Sequence, residues 1–469
     1  MPSVRYIWSL LVLLGTFVFQ CAAQDVTLRG TLVTPNDVIP NGAISISKNK
    51  IGKVGPTPAE QDGTVIETDS FIFPGLIDLH NHITWNFFPR WKPNELFNNR
   101  YEWQQRAAYK VALDGPHAQL VLDHGLACDA DRFGEIKAII GGSTSVVGGL
   151  SPSPGTDDNN CIIGLARNLD SYSGFDGSVL NKEKVRYEVF PFEMKLSDAM
   201  QVHSDLETKK LNAFIVHVAE GKPTDASAAR EFRMLVKKNE GYLRPGVSII
   251  HGVALSKPDF VQMQKADVGL IWSPRSNIEL YGATTDVRSA KEANVKIALA
   301  PDWSPSGSDG LVEELKYASS WNEAQVPSVF ATNELVAMAT TIPAQLAGAS
   351  DSIGSLRPGY YADLLLVRKT TGDPYQSLLH LDPGDVRLVM IGGVPVYGDE
   401  DLMKKLLPNR RLETLSVCGK QKDLYIEPQA GIPETGKTFK QMSDELSAKL
   451  ASLGTSLAEL APCQGTNLN

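Results

Sequence analysis

The sequence predicts an α/β fold, a (β/α)8 TIM barrel with a small β-sandwich domain built from N- and C-terminal segments. Two observations support this prediction. The middle of the chain alternates apolar strand-like runs with helical runs, and short strand-like pieces flank it at both ends. Such alternation is typical of a parallel sheet with crossover helices. A doubly wound open sheet is the alternative, but no GxGxxG motif opens a helix after a first strand.

The first 23 residues have the layout of a secretory signal peptide. Arg5 precedes the apolar run 7–19, and small residues follow where a signal peptidase would cut, after Ala23. This layout predicts a secreted or periplasmic protein. A lipoprotein anchored through Cys21 is the less favoured alternative, because larger residues precede it where small ones are wanted. No later run is long and apolar enough to predict stable membrane insertion.

The mature chain divides into four further segments. In residues 24–72, turn residues separate the strand-like pieces VTLRGTLVT, AISIS and IGKVG. In residues 353–400, the strand-like pieces are ADLLLVRK and VRLVMIGGVPVYG. The last segment contains a helical pattern at 440–460, which predicts an amphipathic helix packed on the outside of the barrel. In order, we assign the N-terminal portion of the β-sandwich (24–72), the barrel (73–352), the C-terminal portion of the β-sandwich (353–400) and a C-terminal extension (401–469).

The barrel segment shows its alternation most clearly between residues 247 and 325. VSIIHG, VGLIWS and VKIALA read as strands, and SKPDFVQMQKAD, TTDVRSAKEAN and GLVEELKYASSWNEA read as the helices that follow them. Strands recur at intervals of roughly 20 to 35 residues, a pitch that suits a (β/α)8 barrel.

The stretch FPGLIDLHNHITWN places two histidines after an apolar run. Successive side chains of a strand point to opposite faces, so His80 and His82 share a face. Two imidazoles on one face at a strand end are a metal-ligand arrangement. The alternative is a polar edge strand whose histidines face water.

Polar residues end three further strand-like runs, and barrel enzymes carry their chemistry at such positions. His217 ends FIVHV, His251 ends VSIIH and Asp302 follows VKIALA. The distances along the chain correspond to about four βα units from His82 to His217, one unit to His251 and two more to Asp302. We therefore expect these residues on the first, fifth, sixth and eighth strands.

This pattern resembles the amidohydrolase superfamily, which carries HxH on strand one and His, His and Asp on strands five, six and eight. PGLIDLHNH resembles the strand-one signature, and IGSLRPGYYADLLLV resembles the return into the small sandwich. HVAEG and SPRSNIELYG are similar to the HxxE and Pro-x-Ser-Asn segments of the mononuclear cytosine, guanine and S-adenosylhomocysteine deaminases and chlorohydrolases. The resemblance covers nearly the whole mature chain.

The resemblance implies one Zn²⁺ or Fe²⁺ per chain, bound by His80, His82, His217 and Asp302. Such a metal lowers the pKa of its water to roughly 7, and the resulting hydroxide would attack an sp² carbon bearing nitrogen. The implied catalytic residues are Glu220 as proton shuttle, His251 as hydrogen-bonding partner of the reacting group and Asp302 as proton acceptor. The predicted function is hydrolysis of a non-peptide C–N bond in a cyclic amide, an amidine or an amino-heterocycle.

Two alternatives remain open at this point. A two-metal hydrolase of the dihydroorotase or dipeptidase type would need a carboxylated lysine ending strand four, where Lys195 and Glu193 are the candidates. The second alternative is a barrel that binds a ligand without catalysing a reaction.

Aromatic residues after the HNH motif and tryptophan after Asp302 suggest a larger or flatter substrate than a nucleobase. Arg90 and Arg275 could hold a substrate carboxylate, although structural ion pairs are the favoured interpretation.

Cysteine count and charge complete the expectations. Four cysteines remain after the signal peptide, and of the three possible pairings sequence proximity favours Cys128–Cys161 with Cys418–Cys463; four unpaired buried thiols are the alternative. The net charge is −9 and no long run of Lys and Arg occurs, so the expected partner is a small-molecule substrate and not a nucleic acid. A homo-oligomer is compatible with the sequence.

Overall fold

The structure is a computed structural model that describes residues 25–35, 37–56, 63–121, 124–148, 164–170, 184–237, 242–426 and 437–463. The predicted signal peptide lies outside the described residues. Across the described ranges, no helix combines the length and the apolar character needed to cross a bilayer.

The strands of the described residues are, in chain order, β1 (Val26–Val33), β2 (Val38–Ser47), β3 (Lys50–Pro56), β4 (Thr64–Pro74), β5 (Leu76–Asp78), β6 (Ser143–Val146), β7 (Arg167–Asn168), β8 (Val185–Glu188), β9 (Ala213–Val218), β10 (Val247–His251), β11 (Gly269–Trp272), β12 (Ile297–Leu299), β13 (Leu364–Arg368), β14 (Val386–Ile391), β15 (Val394–Asp399), β16 (Glu413–Val417) and β17 (Lys420–Leu424).

The α-helices are α1 (Arg100–Gln104), α2 (Ala107–Tyr109), α3 (Gly115–Val121), α4 (His124–Ile140), α5 (Leu196–Glu207), α6 (Ala226–Lys237), α7 (Lys257–Lys265), α8 (Pro274–Tyr281), α9 (Val287–Glu292), α10 (Leu311–Glu323), α11 (Thr332–Ala337), α12 (Thr341–Leu346), α13 (Pro374–Leu379), α14 (Glu400–Leu406) and α15 (Phe439–Ser452). Short 3-10 turns lie at Ile83–Trp85 and Pro383–Asp385, and a π-helical segment lies at Lys110–Asp114.

Strands of both sandwich segments pair with two strands of the C-terminal extension, β16 and β17, in one nine-stranded sheet of the order β16-β17-β15-β14-β13-β4-β1-β2-β3. The seam between the segments is β4 with β13, which run antiparallel and place Phe73 opposite Leu365. The two separated β regions of the sequence therefore meet in space. That this sheet folds as a separate two-layer sandwich stays a prediction, as do the segment boundaries.

Eight parallel strands, β5 to β12, form the central barrel. The first three pair in one sheet and the last five in another, and a parallel bridge between Asn81 and Asp302 joins the end of β5 to the end of β12. Each of the eight strands, or the residue that follows it, contributes to one buried apolar cluster that contains Ile77, Val147, Leu169, Val185, Ile215, Ile250, Ile271 and Ala298. The interior is thus a packed core, and ligands have access only to the mouth.

The predicted alternation between residues 247 and 325 is confirmed. VSIIHG, VGLIWS and VKIALA are the strands β10, β11 and β12, and the three predicted helices are α7, α9 and α10. The structure adds α8 directly after β11. This helix starts at Pro274, a residue that suits the first helical turn. Its C-cap is Gly282, which has a left-handed conformation with φ of 69°.

The C-terminal extension contains the predicted amphipathic helix, α15. Its buried residues are Met442, Leu446 and Leu450, and the ring of Phe439 stacks on Phe133 of α4 with the ring centroids 6.3 Å apart. The helix therefore docks on the outside of the barrel, as predicted, but it ends at Ser452 rather than near residue 460.

One of the two predicted disulfides is confirmed. Cys418 and Cys463 are bonded, with their Cα atoms 5.1 Å apart, and this bond ties the chain end to β16. Cys128 also takes part in a disulfide, and its predicted partner Cys161 lies outside the described residues.

Candidate active site

The predicted donor side chains converge at the mouth of the barrel. His80 and His82 follow β5, His217 lies in β9, His251 ends β10 and Asp302 follows β12. They belong to overlapping groups of three in which the donor atoms lie within 4.8 Å of one another. Their strands are the first, fifth, sixth and eighth of the barrel, which is the arrangement that the spacing predicts.

The backbone at these strand ends takes an uncommon conformation. Ala219, His251 and Asp302 have positive φ values of 58°, 64° and 68°. For residues other than glycine, this left-handed conformation costs about 1–3 kcal/mol and persists only where the surroundings hold it. The Asp302 N–H donates to the carbonyl of His80 at 3.1 Å, and the hydroxyl of Thr285 donates to the carbonyl of His251. A hydrogen bond to the segment after β5 and one from the connection between α8 and α9 thus hold the turns that carry Asp302 and His251.

Burial keeps the imidazoles neutral. Desolvation lowers the pKa of His80, lowers the pKa of His82 to about 3, and lowers the pKa of His217 well below its ordinary value. For His217, repulsion from the imidazoles of His80 and His251 adds to the effect of burial. The neutral imidazole is the form that binds a metal ion.

Asp302 supplies the negative charge of the cluster. Burial by itself raises the pKa of its carboxyl, but electrostatic attraction from His80, His251 and His82 lowers this pKa overall. Asp302 Oδ1 lies 3.3 Å from His80 Nε2 and 3.4 Å from His82 Nε2. Three neutral imidazoles and one carboxylate form a donor set that suits Zn²⁺ or Fe²⁺.

Two buried ring nitrogens support a bound ion. His80 Nε2 and His217 Nδ1 have no hydrogen-bond partner in the described part of the chain. A buried polar atom without a partner costs about 1–3 kcal/mol, and a metal ion would remove that cost at His80, whose Nε2 faces the Asp302 carboxylate. The residues present therefore fit a divalent metal.

Two side chains from the strand-seven region orient the histidine rings. His80 Nδ1 lies 3.0 Å from Ser273 Oγ, and His251 Nδ1 lies 2.9 Å from Asn277 Oδ1. The amide nitrogen of Asn277 donates to Thr284 Oγ1 at 3.3 Å, so the amide oxygen is left to accept from His251. With both Nδ1 atoms engaged, both Nε2 atoms are available to the centre. The sequence flagged this segment only by its resemblance and assigned no role to Ser273 or Asn277.

Glu220 is fixed beside the donor cluster. The hydroxyl of Tyr281 donates to Glu220 Oε1 at 2.6 Å, and Trp103 Nε1 donates to the Tyr281 oxygen at 2.9 Å. Glu220 Oε2 lies 3.6 Å from His251 Nε2 and 3.9 Å from Arg100 Nη1. Burial, with repulsion from Glu220, raises the pKa of Tyr281 well above its ordinary value, so this hydroxyl stays a donor. One carboxylate oxygen is therefore anchored while the other faces the centre.

Strand four contributes a tyrosine to the centre. Tyr187 Oη lies 3.3 Å from His82 Nε2. The two candidates for a bridging ligand, Glu193 and Lys195, lie beyond the strand with exposed side chains, and Lys195 is the residue before α5. Neither reaches the donor cluster, so the structure gives no support to the two-metal alternative through these residues.

A cavity of about 380 Å³ opens beside the donors, and it is largely aromatic. The large aromatic side chains that line it are Trp85, Trp103, Tyr109, Phe190 and Trp303. The tryptophan after Asp302 thus faces the cavity. Phe87 and Phe88 of the segment after the HNH motif are instead fully buried in the core.

The two arginines considered for a substrate carboxylate serve structural contacts. Arg90 donates to Glu279 at 3.1 Å and to the carbonyl of Ser306 at 3.3 Å. Arg275 pairs with Glu313. Neither arginine lines the cavity, which confirms the structural interpretation for both.

A packed parallel barrel with histidine and aspartate donors at the carboxyl ends of its strands defines the class of metal-dependent barrel hydrolases. The pattern of the amidohydrolase family matches residues 71–396, more than half of the chain. The chain belongs to the amidohydrolase family. This membership confirms the resemblance and the prediction of an enzyme of the hydrolase class.

Similar proteins fall in the predicted branch. The chain is 21% identical over 423 residues to the 5'-deoxyadenosine deaminase of Methanobrevibacter smithii, covering 85% of this chain and 95% of that one. It is 25% identical over 414 residues to a 5-methylthioadenosine/S-adenosylhomocysteine deaminase of Teredinibacter turnerae, covering 80% and 89%.

Solved structures show the same fold. An adenosine deaminase from Xanthomonas campestris with bound zinc has a TM-score of 0.63 at 14% identity, covering 92% of this chain and 99% of that one. The atrazine chlorohydrolase of Arthrobacter aurescens complexed with zinc has a TM-score of 0.63 at 16% identity, covering 79% and 95%. These similarities confirm the TIM barrel.

Proposed function

We propose that this protein is a metal-dependent hydrolase that cleaves a non-peptide C–N bond in an amino-heterocycle. The observation that carries the proposal is the convergence of His80, His82, His217 and Asp302 at the barrel mouth, with Glu220 anchored beside them. The names of the relatives, which are deaminases, favour an amino-heterocycle over a cyclic amide or an amidine. One Zn²⁺ or Fe²⁺ per chain is the proposed cofactor, and zinc in two structures of similar fold favours Zn²⁺.

The residues of the chain divide the work of the reaction. When bound, the metal would act as a Lewis acid and lower the pKa of the water it holds from about 15.7 to roughly 7. Asp302, ionised because its pKa is lowered, accepts a proton from the attacking water. Glu220 Oε2 takes up the other proton of that water and delivers it to the leaving nitrogen, while Tyr281 holds Oε1 in place. His251, oriented by Asn277, presents Nε2 to the attacking water as a hydrogen-bond acceptor.

The two alternatives have less support. A non-catalytic barrel does not need a complete donor set, and every predicted donor is present at the mouth. A two-metal hydrolase needs a bridging ligand from strand four, where Tyr187 faces His82 instead. We also propose that the protein is secreted or periplasmic, on the basis of the N-terminal layout in the sequence.

The test combines metal analysis with a substrate screen. Purified protein should contain about one Zn or Fe per chain, and a chelator should remove both the metal and the activity. Activity should return when metal is added back. A panel of amino-heterocycles, lactams and N-acyl amino acids, with ammonia read out separately, should give ammonia from amino-heterocycles. Protein that holds no metal, and that metal addition does not activate, would contradict the proposal.

A further inference from the structure

We infer that the cavity binds a flat nitrogen compound that carries a positive charge at its outer end, and that it rejects anions. The inference rests on the proposed function for the position of the reacting group, which would lie at the inner end beside Glu220. The outer end is defined by other residues, namely an aromatic wall and the carboxylate of Asp114.

The aromatic wall is continuous. The rings of Trp85 and Trp303 lie 5.7 Å apart, those of Trp103 and Trp303 lie 5.8 Å apart, and those of Trp103 and Tyr109 lie 4.9 Å apart, centroid to centroid. Phe190, which follows strand four, also lines the cavity. These three pairs of rings meet at 70°, 38° and 74°, so a flat ligand can stack on one ring while others meet its edge, and aromatic faces attract cations.

The charges around the cavity have one sign. The acidic lining side chains are Asp114, Glu220 and Asp302, and no lysine or arginine is among the described lining residues. A divalent ion at the inner end would be balanced by Asp302 and Glu220. Asp114 is exposed, and no hydrogen bond or ion pair engages it within the described ranges. Its charge is therefore available to a ligand at the outer end.

Arg100, which lies beside the lining residue Glu220, is already engaged. Arg100 donates to the carbonyl of Val189 at 2.7 Å and to Glu231 at 3.2 Å, and its guanidinium lies over the ring of Phe190 at 5.3 Å from the centroid. An anionic group at the outer end would leave water without gaining a cation among the lining side chains there, which makes its burial unfavourable. A planar cation would gain from both the rings and Asp114.

Three probes share one ring system and differ in charge: N-methylquinolinium, quinoline and quinoline-4-carboxylate. Binding to the metal-loaded protein is followed by quenching of tryptophan fluorescence and checked by calorimetry, neither of which requires turnover. We expect N-methylquinolinium to bind about fivefold more tightly than quinoline and the carboxylate at least about tenfold more weakly. Equal affinity for the cation and the carboxylate would overturn the inference.

Variants of Asp114 test the source of the preference. Asp114→Asn should reduce the cation-to-neutral ratio from about fivefold to about twofold, and Asp114→Lys should reverse the order so that the carboxylate binds more tightly than the cation. Asp351→Asn, which removes an exposed carboxylate outside the lining, is the matched control and should keep the ratio. An unchanged ratio in both Asp114 variants, with circular dichroism showing that they fold, would refute the assignment.

The outcomes separate this inference from the proposed function. Cation selectivity without hydrolysis of any C–N substrate would support the inference and contradict the proposed function. Hydrolysis of a C–N bond in an anionic substrate, with no selectivity among the three probes, would support the function and contradict the inference.

Discussion

The two ends of the cavity are built in different ways. The inner end consists of side chains at the ends of barrel strands, such as His217 and Asp302, and hydrogen bonds from Ser273 and Asn277 orient its rings. The outer end consists of aromatic side chains from the segments between strands. The donors are thus tied to the strands of the barrel, whereas most of the aromatic lining comes from the connections between strands.

The largest expected effect comes from removing a donor at the inner end. His217→Ala should lose the metal and with it nearly all activity, because the remaining donors no longer surround the ion. Metal content by mass spectrometry and kcat on the best substrate give the measurement. A variant that keeps both its metal and its activity would place the donor set elsewhere.

Glu220→Gln separates proton transfer from metal binding at the same end. The amide keeps the shape of the side chain but cannot transfer a proton, a function worth roughly 10²- to 10⁴-fold in rate. We expect kcat to fall by about that factor while metal content stays normal. Glu459→Gln, at an exposed position, is the matched control. If Glu220→Gln keeps kcat within about threefold, or strips the metal, the assignment of Glu220 is wrong.

Ser273→Ala tests whether the inner end depends on the orientation of its rings. The hydroxyl holds His80 Nδ1 at 3.0 Å, and loss of such a contact typically costs about 10- to 100-fold in metal affinity or activity. Competition with a chelator of known affinity measures the change in metal binding. The control, Ser416→Ala on the exposed face of β16, should leave metal affinity unaltered. Wild-type affinity in Ser273→Ala would show that packing alone orients His80.

Trp85→Leu tests the outer end. The substitution removes one ring of the aromatic wall without touching a donor, and a ring contact is worth about 0.5–1.5 kcal/mol. We expect KM to rise about 3- to 10-fold with kcat and metal content close to wild type. A fall in kcat as large as that of Glu220→Gln would show that the two ends are not separable.

Glu314→Gln should affect stability rather than turnover. Burial raises the pKa of Glu314 from 4.5 to about 8, and its carboxyl supports the connection after strand eight through Ser308. Because the pKa of Glu314 is higher in the folded than in the unfolded protein, the protonated carboxyl stabilises the fold. This contribution to the free energy of unfolding is fully present below about pH 4.5 and is lost as the pH rises through about 8.

The glutamine variant cannot ionise, so its free energy of unfolding should lack this decline. Between pH 5 and 8 we expect the free energy of unfolding of the wild type to fall by a few kcal/mol relative to that of the variant, since each unit of pKa shift is worth about 1.4 kcal/mol. Urea unfolding at pH 5, 6.5 and 8 measures the difference. Parallel pH profiles for the two proteins would show that Glu314 ionises without a penalty.

The inner end could be predicted from the sequence because its residues sit on periodic elements. His80, His217 and His251 each follow or end an apolar run, and the pitch of βα units places those runs around a barrel. The docked helix α15 could be predicted from the helical periodicity of its apolar residues. The disulfide Cys418–Cys463 could be predicted because the two cysteines are close in the sequence.

The outer end could not be predicted in the same way. Trp103 and Tyr109 lie in short helical turns that connect β5 to β6, and no periodic pattern fixes the path of that connection. The alternation of side chains along strand four predicts that every second one faces the barrel interior. It does not predict that the side chain reaching His82 is Tyr187 and not a bridging lysine. The supporting role of Tyr281 depends on α8, a helix whose eight residues are too few to give a clear period.

The bridge between Asn81 and Asp302 also determines when the site can exist. His82 N–H donates to the carbonyl of Asp302 at 3.0 Å, so the first and last strands of the barrel meet at the donors themselves. During synthesis the HNH motif emerges long before Asp302, and contacts between such distant regions of a chain form slowly. The complete donor set therefore forms only when the eighth strand docks beside the first.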